Sequence, residues 1–78
     1  MRVILYSKAG CHLCDEAREH LEDLAADHVF ELDEMDIRRD DQLFERYRYR
    51  IPVIVVDGVE RLEGRISAED VRSLLRLG

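Results

Sequence analysis

Seventy-eight residues, 46% hydrophobic and 6% aromatic, suit one small soluble domain and do not fit a disordered segment. A formal net charge of −6, in a chain that is 38% charged, argues against a general nucleic-acid binder. No stretch approaches the roughly 20 apolar residues of a membrane span. The chain shows no basic leader with an apolar core and small-residue cleavage site, so a cytoplasmic protein without a signal peptide is expected.

The elements follow from local signals. Residues 2–7 hold the apolar run Val3-Ile4-Leu5-Tyr6, the pattern of a central strand covered on both faces. From His12 to about Asp27, Leu13, Ala17, Leu21, Leu24 and Ala25 recur at helical spacing with acids opposite, predicting an amphipathic helix. Residues 29–37 alternate imperfectly: Phe30 and Leu32 share one face while Met35 and Ile37 fall on the other, which allows a bulge. Strand, helix and strand in this order imply a right-handed crossover between parallel strands.

In the second half, Asp40 can cap a short helix with Leu43, Phe44 and Tyr47 on its core face. Ile51-Pro52 ends it, because the residue before proline avoids helical geometry. Val53-Ile54-Val55-Val56 and Val59-Glu60-Arg61-Leu62 flank Asp57-Gly58, a hairpin signal whose turn positions both need positive φ. A last helix opens at Ser67 as N-cap, with Asp70 at N3 and Ile66 packing towards Val71; Val71, Leu74 and Leu75 should face the core. The order is β-α-β-α-β-β-α in one domain, residues 1–78, without repeat or linker.

The two cysteines carry the chemistry. Cys11-His12-Leu13-Cys14 lies between the first strand and the first helix, where a Cys-x-x-Cys pair most often works as a dithiol that opens and closes a disulfide. Cys11 would sit at the helix N-terminus, whose free N–H groups and positive dipole end favour thiolate over thiol. Cys14 follows one turn later on the same face, within bonding reach. A zinc site would want a second Cys/His pair at ligand spacing, and His20 and His28 are separated by helix and turn, so no metal is expected.

Tyr6-Ser7-Lys8-Ala9-Gly10-Cys11-His12-Leu13-Cys14 and Arg50-Ile51-Pro52-Val53 together resemble a glutaredoxin-like protein of the thioredoxin superfamily, over nearly the whole chain. The resemblance implies an α/β thioredoxin-like fold, a mixed four-stranded sheet flanked by three helices. It implies a cis Pro52 facing the cysteines, an Ile51 backbone that pairs with the substrate strand, and a Lys8 that meets a glutathione carboxylate. Two departures stand out. His12-Leu13 replaces the family's usual Pro-Tyr pair, and Glu63-Gly64-Arg65-Ile66-Ser67 keeps one glycine of the segment that holds the γ-glutamyl end of glutathione. The tryptophan and the Gly-Pro pair of thioredoxins are absent.

The expected activity is that of a small thiol-disulfide oxidoreductase, with Cys11 as nucleophile and Cys14 as resolving thiol. Lys8, His12, Arg50, Ile51, Pro52 and Gly64 are the candidate substrate-binding residues. His12, if charged, would stabilise the Cys11 thiolate; if neutral, it is a polar residue on an exposed turn, and Asp15 and Glu16 oppose the effect. Arg46 and Arg48 read as a helix surface paired with acids, Arg38 and Arg39 as a solvated turn, and Tyr47 as core. Arg50 divides between such a surface and a cationic edge that receives carboxylates.

The expected partners are disulfide-containing protein substrates or glutathione as co-substrate, with no permanently bound cofactor, no nucleic acid, no membrane, and a monomeric state. Two alternatives stay open: a glutathione-assisted iron–sulfur cluster scaffold, and a non-catalytic interaction module of the same fold.

Overall fold

The structure, a computed structural model, describes residues 1–77. β1 (Arg2–Ser7) leads into α1 (His12–Asp27), β2 (Glu31–Asp36), a 3-10 turn (Ile37–Arg39) and α2 (Asp41–Tyr47). β3 (Val53–Val56), β4 (Val59–Glu63) and α3 (Ala68–Arg72) follow, and α3 tightens into a 3-10 turn over Ser73–Leu77. The strands form one four-stranded sheet in the order β2-β1-β3-β4. β1 runs parallel to β2 and antiparallel to β3, and β3 and β4 make a hairpin. This is the mixed α/β arrangement that the resemblance implied.

Period-two alternation on the central strands divides the core in two. Val3 and Leu5 of β1 join Ile54 and Val56 of β3 on the face covered by Ala17, Leu21 and Leu24 of α1 and by Val71 and Leu74. On the other face Val53 and Val55 pack with Ile37 and Tyr47, and with the partly buried Ile4, Tyr6, Leu43, Phe44 and Ile51. Helices α1 and α3 therefore cover one face and α2 the other. With both faces covered, all four residues of β3 are buried.

The buried stripe of α1 is Cys14, Ala17, Leu21 and Leu24, so the second cysteine belongs to the core face. Leu13 and Ala25 sit half-buried beside it. Asp40 caps α2 through the N–H groups of Gln42 and Leu43, at 2.8 and 3.1 Å. Ser67 and Asp70 close a reciprocal capping box at α3, each bond 3.0 Å long. Asp57 and Gly58 turn the β3–β4 hairpin with φ of 48° and 84°.

Three details differ from the expectations. β1 and β2 pair without a shift from Arg2↔Glu31 to Ser7↔Asp36, so the allowed bulge is not there. Ile37 reaches the opposite core because the strand has ended and the 3-10 turn carries it across. The irregularity lies instead between β3 and β4, where Ile54 meets Leu62 but Val55 meets Glu60, leaving Arg61 as the extra residue. Leu75 is 38% exposed. With three residues per turn after Ser73, Leu74 stays in line with Val71 while Leu75 rotates outward.

Candidate active site

Strand register gathers the site at one end of the sheet. Tyr6 pairs with Val53, Ser7 with Asp36 and Val53 with Glu63. The exits of β1, β2 and β4 and the start of β3 therefore share that end, with the Cys11 loop above them.

Cys11 is the N-cap of α1, with φ −94° and ψ 108°. Its Sγ accepts a hydrogen bond from the Cys14 N–H at 3.2 Å, filling the role that a serine or aspartate oxygen usually fills. Its carbonyl accepts the Asp15 N–H at 3.1 Å, and its own N–H donates to the Lys8 carbonyl at 3.3 Å. The two cysteines form a disulfide with Cα atoms 5.2 Å apart. Cys14 is fully buried while Cys11 is half-buried. Of the two, Cys11 is the residue open to an incoming sulfur. That asymmetry suits one exposed sulfur and one internal sulfur in exchange chemistry.

The Ile51–Pro52 peptide bond is cis and Pro52 is buried. The Pro52 carbonyl accepts the Gly64 N–H at 2.9 Å, so the proline loop and the β4–α3 connection are joined directly. Gly64 makes that approach with φ of 74°, a left-handed conformation that glycine adopts at no steric cost. The N–H of Ile51 donates to the Tyr47 carbonyl at 3.1 Å, so the amide of this residue is already used within the chain.

The basic residues separate. Arg50 turns towards β4, donating to Glu60 at 2.5 Å and Glu63 at 2.9 Å, and lies over the Tyr47 ring at 5.3 Å. Its guanidinium holds both the Glu63 and Glu60 carboxyls below their ordinary values. Arg46 pairs with Glu60 and Arg48 with Glu45, the helix-surface arrangement. Lys8, half-buried, lines an open groove of about 990 Å³ beside the Cys11 loop. His12 is exposed on the first turn of α1.

One constellation escaped the sequence. Ser7, buried at the end of β1, donates to Glu34 Oε2 at 2.6 Å. Arg18 of α1 meets both oxygens of the same carboxylate, at 2.6 Å each, and binds Asp15 at 2.9 Å. The Arg18 hydrogen bonds hold the Glu34 carboxyl below its ordinary value, with Ser7 adding to the effect. Asp36 falls further, to about 2, chiefly through the Arg38 side chain and then the Arg38 N–H. The i,i+3 spacing of Asp15 and Arg18 was visible in the chain; the reach to Glu34 was not.

Among the described residues no grouping of three or more His, Cys, Asp or Glu side chains could hold a metal ion. An iron–sulfur cluster takes four thiolate-type ligands; with Cys14 inside the core this chain would supply Cys11, and the scaffold alternative would draw the remaining ligands from a second copy and from glutathione. No helix among the described residues is long and apolar enough to cross a membrane.

The chain is similar to solved structures over nearly its full length. A structural-genomics target protein from X. campestris shares 29% identity at a TM-score of 0.81, with 97% of each chain covered. A Nitrosomonas europaea protein solved in solution shares 27% at 0.75, covering 94% of this chain and 88% of its own. Thioredoxin 1 from Thermosipho africanus superposes at 0.68 with 11% identity, over 97% of this chain and 92% of that one, a likeness of fold alone. The model of the glutaredoxin-like domain (DUF836) matches residues 2–76. With its Cys11–Cys14 pair at the head of α1 and a thioredoxin-like sheet behind it, this chain belongs to the glutaredoxin-like domain family.

Proposed function

We propose that the protein is a thiol-disulfide oxidoreductase that reduces protein disulfides or glutathione mixed disulfides. The observation that carries this reading is a half-buried Cys11 at the α1 N-cap, bonded to a fully buried Cys14. In the reduced protein, the Cys14 N–H and the positive end of a 16-residue helix favour negative charge on Cys11 Sγ.

The exchange is balanced as follows. The Cys11 thiolate attacks one sulfur of the substrate disulfide, forming a Cys11–substrate disulfide and releasing the other substrate sulfur as thiolate. Cys14, losing its proton to solvent, attacks Cys11 Sγ and expels the second substrate thiolate. Two electrons pass from the dithiol to the substrate, and the released thiolates take protons from water. Two molecules of an external thiol, glutathione in this proposal, restore the dithiol and leave as glutathione disulfide. The Ile51–Pro52 loop at the same end of the sheet would align the substrate chain, with the Ile51 amide unavailable for pairing unless the Tyr47 bond opens. Lys8 and Gly64 are proposed as glutathione contacts, and a monomeric cytoplasmic protein is the setting proposed.

The test is glutathione-coupled reduction of a small glutathione mixed disulfide by wild type, Cys11→Ser and Cys14→Ser. Cys11→Ser should abolish turnover, whereas Cys14→Ser should keep activity on this substrate and lose it on protein disulfides. A fully active Cys11→Ser protein would remove Cys11 as nucleophile. Inactivity of folded wild type on every disulfide would leave only the fold in common with glutaredoxins.

A further inference from the structure

The groove beside the Cys11 loop carries charge that the fold does not use. It opens between the β1–α1 connection and the end of β2, with Lys8, Ala9, Met35, Asp36, Arg38 and Arg39 among its lining. Its acids are already engaged. Glu34 receives Arg18 and Ser7, Asp36 receives the Arg38 side chain and N–H, and Asp40 caps α2. Arg18 and Arg38 are consumed in the same contacts. No salt bridge among the described residues engages Lys8 or Arg39. In a chain of net charge −6, two uncommitted cations on one open groove, one of them Lys8, three residues before the nucleophile, form a local exception.

We infer that this groove docks an acidic segment flanking the disulfide of a protein substrate, with Lys8 and Arg39 meeting its carboxylates and the exposed Met35 offering an apolar contact. The inference rests on the oxidoreductase reading and names the substrate class for it. Glutathione is the other source of a carboxylate. Of glutathione's two carboxylates the γ-glutamyl one sits beside its own ammonium group, which leaves one uncompensated anion, whereas two free cations along one groove match a run of acids on an extended chain. Complementary charges near the reacting sulfur raise the encounter rate and set orientation more than they raise affinity.

The experiment uses three disulfide-bonded peptides of one sequence, flanked by Glu, Gln or Lys, with uncharged hydroxyethyl disulfide as a fourth substrate. Pre-reduced wild-type protein should reduce the Glu peptide fastest, about three- to tenfold above the Lys peptide, since each exposed pair supplies a modest energy. Raising salt to about 0.5 M should compress that ratio, because exposed charges are then screened within a few ångströms. Arg39→Glu should erase or invert the ratio. Arg76→Glu, the same charge change on the terminal turn, should keep it.

Equal rates on all three peptides, with hydroxyethyl disulfide reduced normally, overturn the docking inference and leave the oxidoreductase reading standing. Failure on all four substrates overturns both. If Arg39→Glu slows a glutathione mixed disulfide while peptide charge has no effect, the groove serves glutathione alone and the acidic-segment assignment is wrong. The wild-type peptide series and its salt dependence need no variant, so a misfolded substitution does not blunt the test.

Discussion

Arg18 and Glu34 meet side by side, each of two guanidinium N–H groups 2.6 Å from a separate carboxylate oxygen. The pair ties the second turn of α1 to the edge strand β2, and Ser7 brings the end of β1 into the same contact. All three elements converge on the Cys11 loop. The bidentate geometry and the buried serine set this ion pair apart from an ordinary surface contact.

A pH dependence follows from Glu34. Its carboxyl is held below the ordinary 4.5, first by Arg18 and further by Ser7, against an opposing effect of burial. A depressed folded value means that the associated stability is present above about pH 4.5 and is lost as pH falls through the folded value. Glu34→Gln should therefore lower the melting temperature at pH 7 and flatten the acid limb below about pH 4.5. Arg18→Ala should cost about 1–2 kcal/mol, a reduced figure because both side chains are about one-third exposed. Acid melting curves of the variants that superimpose on wild type would show the contact to be energetically silent.

Tyr47 gives the opposite limb. Its ring stacks on Tyr6 at 4.8 Å, and its hydroxyl donates to Glu60 at 2.9 Å. Burial first, and then the Glu60 bond, push the phenol above its ordinary 10.0. A raised folded value contributes stability below about pH 10 that is lost as pH rises through the folded value. Tyr47→Phe should cost about 1 kcal/mol at pH 7, for one lost hydrogen bond with the ring retained. It should also show a weaker decline above pH 10. An unchanged alkaline limb would rule out this tyrosine as its source.

The core is small enough for one truncation to decide folding. Leu21, fully buried on α1, lies in the cluster shared with Leu5, Ile54 and Leu74. Leu21→Ala should destabilise by about 2–5 kcal/mol, a large part of what a domain of this length commonly holds. Urea unfolding measures it directly. A loss below about 1 kcal/mol would mean that α1 repacks over the gap.

Gly64 links the proline loop to the β4–α3 connection. An added Cβ meets nothing within 4 Å, but φ of 74° strains any L side chain. Gly64→Ala should therefore cost about 1–2 kcal/mol through backbone strain alone. A loss well beyond this range would point to displacement of the 2.9 Å bond to Pro52.

The element order, the Cys11 cap, the Asp57-Gly58 turn and the Ser67–Asp70 box were all legible in the chain. Each depends on residues within about one turn of one another, where sterics, periodicity and local hydrogen bonds act without a distant partner. The cis state of Pro52 entered through family resemblance, because an X–Pro pair alone favours trans. Tertiary structure decided the rest. Arg50 was open between an active-site edge and a paired surface until β4 placed Glu60 and Glu63 beside it. Nothing in the sequence separates Glu34 from the other acids of β2; Ser7 and Arg18 do so in the folded chain. Arg39 differs from Arg38 because Asp36 takes Arg38, leaving its neighbour without an ion-pair partner among the described residues. Local chemistry determines where a helix or turn begins; only the packed sheet decides which charge meets which, since that depends on partners many residues away in sequence.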